Sequence, residues 1–119
     1  MNKEEIKECL SKYNITKYTI HDNLVVDVHR YVSLNGQNLT SLPFQFGIVQ
    51  GHFSCSNNKL TSLDHCPKEV HGNFYCCGNK LTSLEHCPKV IKGMFWCDGY
   101  LHTDIRYLRY SLAKKLMKL

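Results

Sequence analysis

Polar and apolar residues alternate around Phe53 and Cys55, and two leucines follow after a short polar stretch. Alternation over so few residues is typical of a short β-strand with one buried face, to which Phe53 and Cys55 belong. The leucines at 60 and 63 predict a return path that fills the same core. Asn58 marks the turn between the strand and this return path. An inward-facing amide at this position can bond backbone groups of adjacent coils.

The same pattern returns after 21 residues: GHFSCSNNKLTSLDHCPKEVH at 51–71 is followed by GNFYCCGNKLTSLEHCPKVIK at 72–92. Shifting the frame back by 21 residues finds apolar residues at the corresponding core positions, namely Val32, Leu34, Leu39, Leu42 and Val49. Shifted forward, the frame matches at Phe95 and Cys97 and fails at Tyr100. We therefore predict about three and a half stacked units, since repeats of this length bury their apolar faces only against their neighbours.

The residues that precede the repeats predict a helix and a hairpin. Helical spacing of apolar residues, with Asn2 and Glu5 as a capping pair, predicts a helix over 2–13. Two strands, over 18–20 and 24–28, are expected on either side of a polar turn. Together these elements are expected to close the open edge of the first unit, because a terminal repeat otherwise exposes its core.

A second helix is predicted after the repeats, from about Thr103 to Lys118. Its apolar residues fall on one stripe, formed by Ile105, Leu108, Leu112, Leu116 and Leu119. That stripe is expected to cover the last coil. The segment also carries five basic residues against one acidic residue, so it holds four of the five net positive charges of the chain.

Each unit reads F-x-C-x-x-N-x-L-x-x-L, the spacing of the leucine-rich-repeat signature L-x-L-x-x-N-x-L. The chain therefore resembles the leucine-rich-repeat family, and it is similar in particular to small cysteine-containing NNKLTSL/CPK arrays of phage and bacterial type. The fold expected is an α/β repeat solenoid, a short leucine-rich-repeat-like coil with parallel strands on one face. We expect one domain over 1–119, with an N-terminal helix and hairpin cap at 1–29, repeats at 30–102 and a C-terminal capping helix at 103–119.

The composition, 43% hydrophobic and 21% charged, is that of an ordinary globular chain. No apolar run approaches the ~18 residues of a membrane span. The first residues, MNKEEIKECL, are charged, unlike the apolar core of a secretion signal. We therefore expect a cytoplasmic protein without a membrane segment, and the host cytoplasm if the likeness to phage proteins holds.

Five of the seven cysteines occupy repeated positions: Cys55, Cys76 and Cys97 share one, and Cys66 and Cys87 share another. This favours small buried side chains in a reducing compartment over a disulfide framework. The alternative is a zinc site in which the His-Cys-Pro motifs of neighbouring coils supply two imidazoles and two thiolates. The sequence contains no C-x-x-C pair, so we expect no metal. Cys77 should face outward and be the most modifiable thiol.

The residues between the buried strand positions should project from one face of the coil and form a binding surface. Tyr75 and Trp96 are 21 residues apart and should lie side by side, with His52 next in the row, and neighbouring exposed aromatics are typical of binding hot spots. Alternatively, Trp96 is covered by the final helix. The residues expected to contact a partner are Tyr31, His52, Ser54, Tyr75, Cys77, Met94, Trp96 and Asp98.

Catalysis is not expected. The sequence contains no G-x-S-x-G, phosphate loop or H-E-x-x-H motif. A short solenoid also lacks the deep pocket that would exclude water from a reaction. We therefore expect neither an enzyme nor a bound cofactor.

Two functions of different class remain, besides a purely structural part in a larger particle or oligomer. The first is a protein-binding module. The likeness to phage proteins implies that its partner is a host protein, and that the module inhibits a host defence or regulatory protein. The second is nucleic-acid binding through the basic residues of the last helix, with Tyr107 and Tyr110 available for stacking. Those residues are Arg106, Arg109, Lys114, Lys115 and Lys118.

Overall fold

The structure, a computed structural model, describes residues 1–97, which form one short helix and about three turns of a β-solenoid. The helix α1 spans Lys3–Lys12. The strands are β1 Tyr18–Ile20, β2 Val26–Val28, β3 Val32–Ser33, β4 Phe46–Val49, β5 Phe53–Ser54, β6 Glu69–Val70, β7 Phe74–Tyr75, β8 Val90–Ile91 and β9 Phe95–Trp96. The solenoid prediction is therefore confirmed for this part of the chain.

Each coil contributes one strand to each of two ladders. The front ladder has the order β3-β5-β7-β9, and all of its neighbours are parallel and paired at a spacing of 21 residues. The rear ladder has the order β1-β2-β4-β6-β8 and is parallel from β2 onward. The parallel strands predicted on one face form the front ladder, and the rear ladder is an addition that was not predicted. It arises because the return path also pairs its backbone N–H and C=O groups between coils.

The N-terminal helix begins as predicted. The Oδ1 atom of Asn2 accepts a hydrogen bond from the N–H of Glu5 at 2.9 Å, and the Glu5 carboxylate accepts one from the N–H of Asn2 at 2.9 Å. This reciprocal pair is a capping box and satisfies donors that the first helical turn leaves without partners. Ile6 and Leu10 are buried on the inner side of the helix and belong to the common core.

The predicted hairpin is present, and it extends the rear ladder. β1 and β2 pair antiparallel, and β2 then pairs parallel with β4, in which a bulge places one extra residue opposite β2. The Oδ1 atom of Asp27 accepts from the N–H of Ile48 at 2.8 Å, within this bulge. The other carboxylate oxygen of Asp27 lies 2.8 Å from Nε2 of His21. The Asp27 carboxylate therefore accepts the hydrogen bond of a backbone N–H group that the ladder does not pair at the bulge.

Aromatic rings stack in the core along the solenoid axis. The rings of Phe53 and Phe74 are nearly parallel, with centroids 5.8 Å apart, and those of Phe74 and Phe95 are 5.5 Å apart. All three side chains are fully buried. Identical positions in successive coils thus form continuous columns, as a 21-residue repeat requires.

An inward-facing asparagine closes the turn after β5 and the turn after β7. These residues are Asn58, which is buried, and Asn79, which is half-buried. The Oδ1 atom of Asn58 accepts from the N–H groups of Gln37 and Leu39 at 2.9 and 3.0 Å. Its Nδ2 atom donates to the carbonyls of Leu34 and Cys55 at 2.8 and 3.0 Å. Asn79 repeats these contacts one coil later. The inward amide predicted from the sequence is therefore confirmed.

Glycines allow neighbouring coils to approach closely just before β5 and β7. A Cβ atom on Gly72 would lie 2.6 Å from Nδ1 of His52 and 2.8 Å from its backbone nitrogen. A Cβ atom on Gly51 would lie 2.8 Å from the backbone nitrogen of Tyr31. These distances are shorter than van der Waals contact, so any side chain at this position would push two coils apart.

The predicted final helix, Thr103–Lys118, and the end of the fourth unit lie outside the described residues. The capping helix and the domain limits proposed for that end of the chain therefore remain predictions.

We predict that Asn58→Ala strongly lowers the free energy of unfolding. The substitution leaves the N–H groups of Gln37 and Leu39 and the carbonyl of Leu34 without their side-chain partner, whereas the carbonyl of Cys55 keeps a hydrogen bond from Nδ2 of Asn79. A buried group without a partner costs about 1–3 kcal/mol. Urea unfolding should show a loss of about 3 kcal/mol. Asn57→Gly is the matched control, because Asn57 is exposed and has a φ of 58°, which glycine adopts freely. Equal stability losses in the two variants would contradict the prediction.

We also predict that Asp27 makes stability depend on pH in the acid range. Burial raises the pKa of Asp27. Hydrogen bonds from His21 and from the N–H of Ile48 lower this pKa, and so do the nearby charges of His21 and His29. The net effect is a pKa below the ordinary value of 3.8. Because the folded pKa is the lower one, this stabilisation is present above pH 3.8 and is lost as the pH falls through the folded pKa.

The measurement is urea unfolding over a series of acid pH values. Stability should fall less steeply in Asp27→Asn than in the wild type. Asp22→Asn, which removes an exposed charge from the same hairpin, should retain the wild-type slope. A wild-type slope in Asp27→Asn would refute this role of the carboxylate.

Candidate functional site

The outer surface of the front ladder carries rows of side chains that run across the coils. One row contains Ser33, Ser54, Tyr75 and Trp96, which are paired in register. A second row, one residue before each strand, contains Tyr31, His52, Asn73 and Met94. Ser56 and Cys77 lie in the third row. We call these residues together the strand face.

Three rings of the strand face lie next to one another. The centroids of Tyr75 and Trp96 are 6.3 Å apart, with 37° between the ring planes, as expected from their spacing. The His52 ring is also 6.3 Å from Tyr75, at 56°. The prediction that His52 continues the same row needs correction, because Ser54 holds that position and His52 reaches Tyr75 diagonally from the second row.

Hydrogen bonds between coils hold the second row in place. The Nδ1 atom of His52 accepts from the N–H of Asn73 at 2.8 Å. The Oδ1 atom of Asn73 in turn accepts from the N–H of Met94 at 2.7 Å, and its Nδ2 atom donates to the hydroxyl of Tyr75 at 2.7 Å. The Tyr75 ring is therefore held at both ends, by its strand and by its hydroxyl group. Such order in the unbound state lowers the entropy lost on binding.

The strand face combines exposed and half-buried side chains. Tyr31 is 56% exposed and Met94 is 37% exposed, and both are large apolar side chains. His52 is exposed, whereas Ser54, Tyr75, Cys77 and Trp96 are half-buried. The structure therefore places together all the residues predicted to contact a partner, except Asp98. Asp98 and the predicted final helix, with its alternative site at Arg106, Arg109, Lys114, Lys115 and Lys118, lie outside the described residues.

The cysteines of the repeats are thiols, and those at the two repeated positions are buried, as predicted. Burial, with a hydrogen bond to Cys55, raises the pKa of the Cys66 thiol well above its ordinary value. A hydrogen bond with Cys97 and burial do the same for the pKa of Cys76. Thiols with raised pKa values are poor nucleophiles and poor metal ligands at neutral pH. Cys77, by contrast, is half-exposed on the strand face.

The zinc alternative is not favoured by the placement of its residues. Cys66 and Cys87 are buried at the floor of a groove, whereas His65 and His86 belong to its exposed lining. Among residues 1–97, no three side chains of His, Cys, Asp or Glu are placed to hold a metal ion.

The described helix is far too short to cross a membrane, and residues 1–97 contain no helix that could do so.

Comparison of the chain with protein-family models, with curated proteins and with solved structures finds no match.

We predict that iodoacetamide alkylates Cys77 of the native protein at least about tenfold faster than its neighbour Cys76, because thiolate content and access both control this reaction. Cys76 is buried and has a raised pKa, and Cys77 is half-exposed. Mass spectrometry of timed samples measures both rates in the same molecule. In denaturant the two rates should converge. Equal rates in the native state would show that Cys77 is protected.

Proposed function

We propose that the protein is a non-enzymatic binding module that holds a partner protein on its strand face. The observation that carries the proposal is the cluster of three neighbouring rings formed by His52, Tyr75 and Trp96, with Tyr31 and Met94 exposed on the same face. Tyrosine and tryptophan are enriched among residues that dominate binding energy, because they bury large areas with few rotatable bonds.

The scaffold suits this function. The strand face is supported by two ladders and by the column of stacked phenylalanine rings beneath it. A surface whose side chains are already fixed loses little entropy when a partner binds. Repeat proteins commonly use the extended surfaces of stacked units in this way.

We further propose that α1 and the β1–β2 hairpin cap the solenoid. Ile6 and Leu10 of α1 are buried in the common core. β1 supplies the outermost strand of the rear ladder at this end. A terminal coil without such cover would expose apolar side chains and strand backbone groups.

The resemblance to arrays of phage and bacterial type suggests a host protein as the partner. On this proposal the chain acts by occupying a surface of a host defence or regulatory protein, which requires no catalytic residue.

The test is to capture partners from lysate of the host cell on immobilised protein and to measure the affinity of the purified partner. Tyr75→Ala and Trp96→Ala should each raise the Kd at least about 30-fold, equivalent to about 2 kcal/mol, as for a hot-spot residue. Val90→Ala is the control, because Val90 is 40% exposed but lies in the rear ladder. Thermal unfolding verifies that each variant is folded.

Two results would overturn the proposal. One is a partner whose affinity changes as much in Val90→Ala as in Trp96→Ala. The other is capture of nucleic acid that weakens steeply with salt and is unaffected by Tyr75→Ala, since this behaviour is typical of phosphate contacts.

A further inference from the structure

A groove of about 380 Å³ lies on the turns that lead into the rear ladder, away from the strand face. This volume is in the range of sites for small ligands. The exposed part of its lining is formed by the repeated positions Asp64, His65, Lys68, His86 and Lys89. Its floor is formed by buried Cys66, Pro67 and Cys87. We call it the His-Lys groove.

The two lysines of the groove form a pair of like charges. The N–H of Lys89 donates to the carbonyl of Lys68 at 3.0 Å, so the two residues occupy adjacent coils in register. Like charges at facing positions of neighbouring strands repel each other. Neither lysine forms an ion pair with another residue of the described chain, 1–97. The groove therefore carries two positive charges that are not neutralised by the described part of the protein.

The acidic residue of the groove is already engaged. The Oδ1 atom of Asp64 lies 3.2 Å from Nε2 of His86 on the next coil. Because both side chains are more than half exposed, this pair is weak and leaves Asp64 as a modest local opponent of anion binding. The net charge of the groove remains positive.

The histidines are held in an uncommon backbone conformation. His65 has a φ of 73° and His86 a φ of 69°, in the left-handed region that glycine adopts most easily. Each lies in a turn closed by a bond from a cysteine N–H to a leucine carbonyl, at 3.1 Å for Cys66 and 3.2 Å for Cys87. Backbone strain of this kind is found preferentially at functional sites.

A neighbouring glutamine orients the first of these rings. The Nε2 atom of Gln45 donates to the carbonyls of Phe46 and Cys66 at 2.7 and 2.9 Å, so its Oε1 atom serves as an acceptor. That oxygen lies 3.4 Å from Nδ1 of His65, within reach of a hydrogen bond in which Nδ1 donates. The imidazole ring is thus placed by the preceding coil.

We propose that the His-Lys groove binds a phosphate group, with Lys68 and Lys89 as its charged contacts and His65 and His86 as its walls. Two positive charges one coil apart match a doubly charged anion better than a singly charged carboxylate. The groove has far more room than the anion alone requires, so it also admits the group to which the phosphate is esterified. This site is separate from the partner surface on the strand face.

The test follows the ¹H–¹⁵N spectrum of the full chain during titration with inorganic phosphate to millimolar concentrations, at ionic strength held constant with sodium chloride. Saturable shifts are expected for the amides of 64–66 and 68 and of 85–87 and 89, since Pro67 and Pro88 have no amide hydrogen. O-phosphoserine should bind at least as well, whereas acetate should bind at least about tenfold more weakly, because it carries a single charge. Equal affinity for acetate would overturn the assignment of a phosphate group.

Three variants connect the shifts to the groove. Lys68→Gln/Lys89→Gln should raise the Kd by about tenfold or more, as expected for the loss of two charge-assisted contacts. Lys59→Gln/Lys80→Gln removes an exposed pair that is also 21 residues apart but lies outside the groove, and it should leave the Kd unchanged. Asp64→Asn should lower the Kd, because it removes a negative charge from the lining.

These variants change exposed side chains, and unchanged unfolding midpoints would verify the fold. Shifts that rise linearly without saturation would overturn the proposal. The same conclusion would follow if the two double variants had the same Kd. Neither result bears on the strand face, which is tested through Tyr75 and Trp96.

Discussion

The hydrogen bonds of the buried asparagine are the interaction on which the stacking of this chain depends. At the turn after each front strand, backbone groups lose their ladder partners while they remain buried, and a buried group without a partner is costly. The amide of Asn58 bonds N–H groups and a carbonyl of the preceding coil and a carbonyl of its own coil. The same side chain therefore fixes the shape of one turn and its register on the next.

The register between stacked coils then determines which residue types each position of a coil can hold. In-register stacking places Phe53, Phe74 and Phe95 in one column, and it places cysteines in columns beside them. It also explains why glycine precedes the front strands, since Gly72 has no space for a Cβ atom against the coil before it. Outside the core, the same stacking repeats each exposed position across the surface. Both the neighbouring rings of Tyr75 and Trp96 and the lysine pair of the groove result from it.

The repeat allowed much of this arrangement to be predicted from the sequence. The front strands, the inward asparagine, the buried thiols and the neighbouring rings of Tyr75 and Trp96 follow from a period of 21 residues and from alternation within each unit. The start of α1 was also predictable, because Asn2 and Glu5 have the spacing of a capping box.

Other features left no comparable signal. The rear strand at Glu69–Val70 is two residues long, too short for alternation to be visible, and its pairing depends on the stacked neighbour. The diagonal contact between His52 and Tyr75 depends on side-chain direction rather than on spacing. The left-handed conformation of His65 and His86 is set by the turn around them, and the His-Cys-Pro motif carries no glycine or asparagine that would indicate it. The His-Lys groove was therefore missed, although its residues recur in both units.

The near identity of the segments 51–71 and 72–92 has a consequence for the length of the molecule. The two segments share 13 of their 21 residues, among them the phenylalanine, cysteine, asparagine and leucine positions of the core, so a unit is interchangeable with its neighbour in the core. An in-frame duplication or loss of the codons for one 21-residue unit would add or remove one whole turn. Such a change would not create a new kind of contact between coils. The interior places no limit on the number of turns, and only the ends of the array can do so.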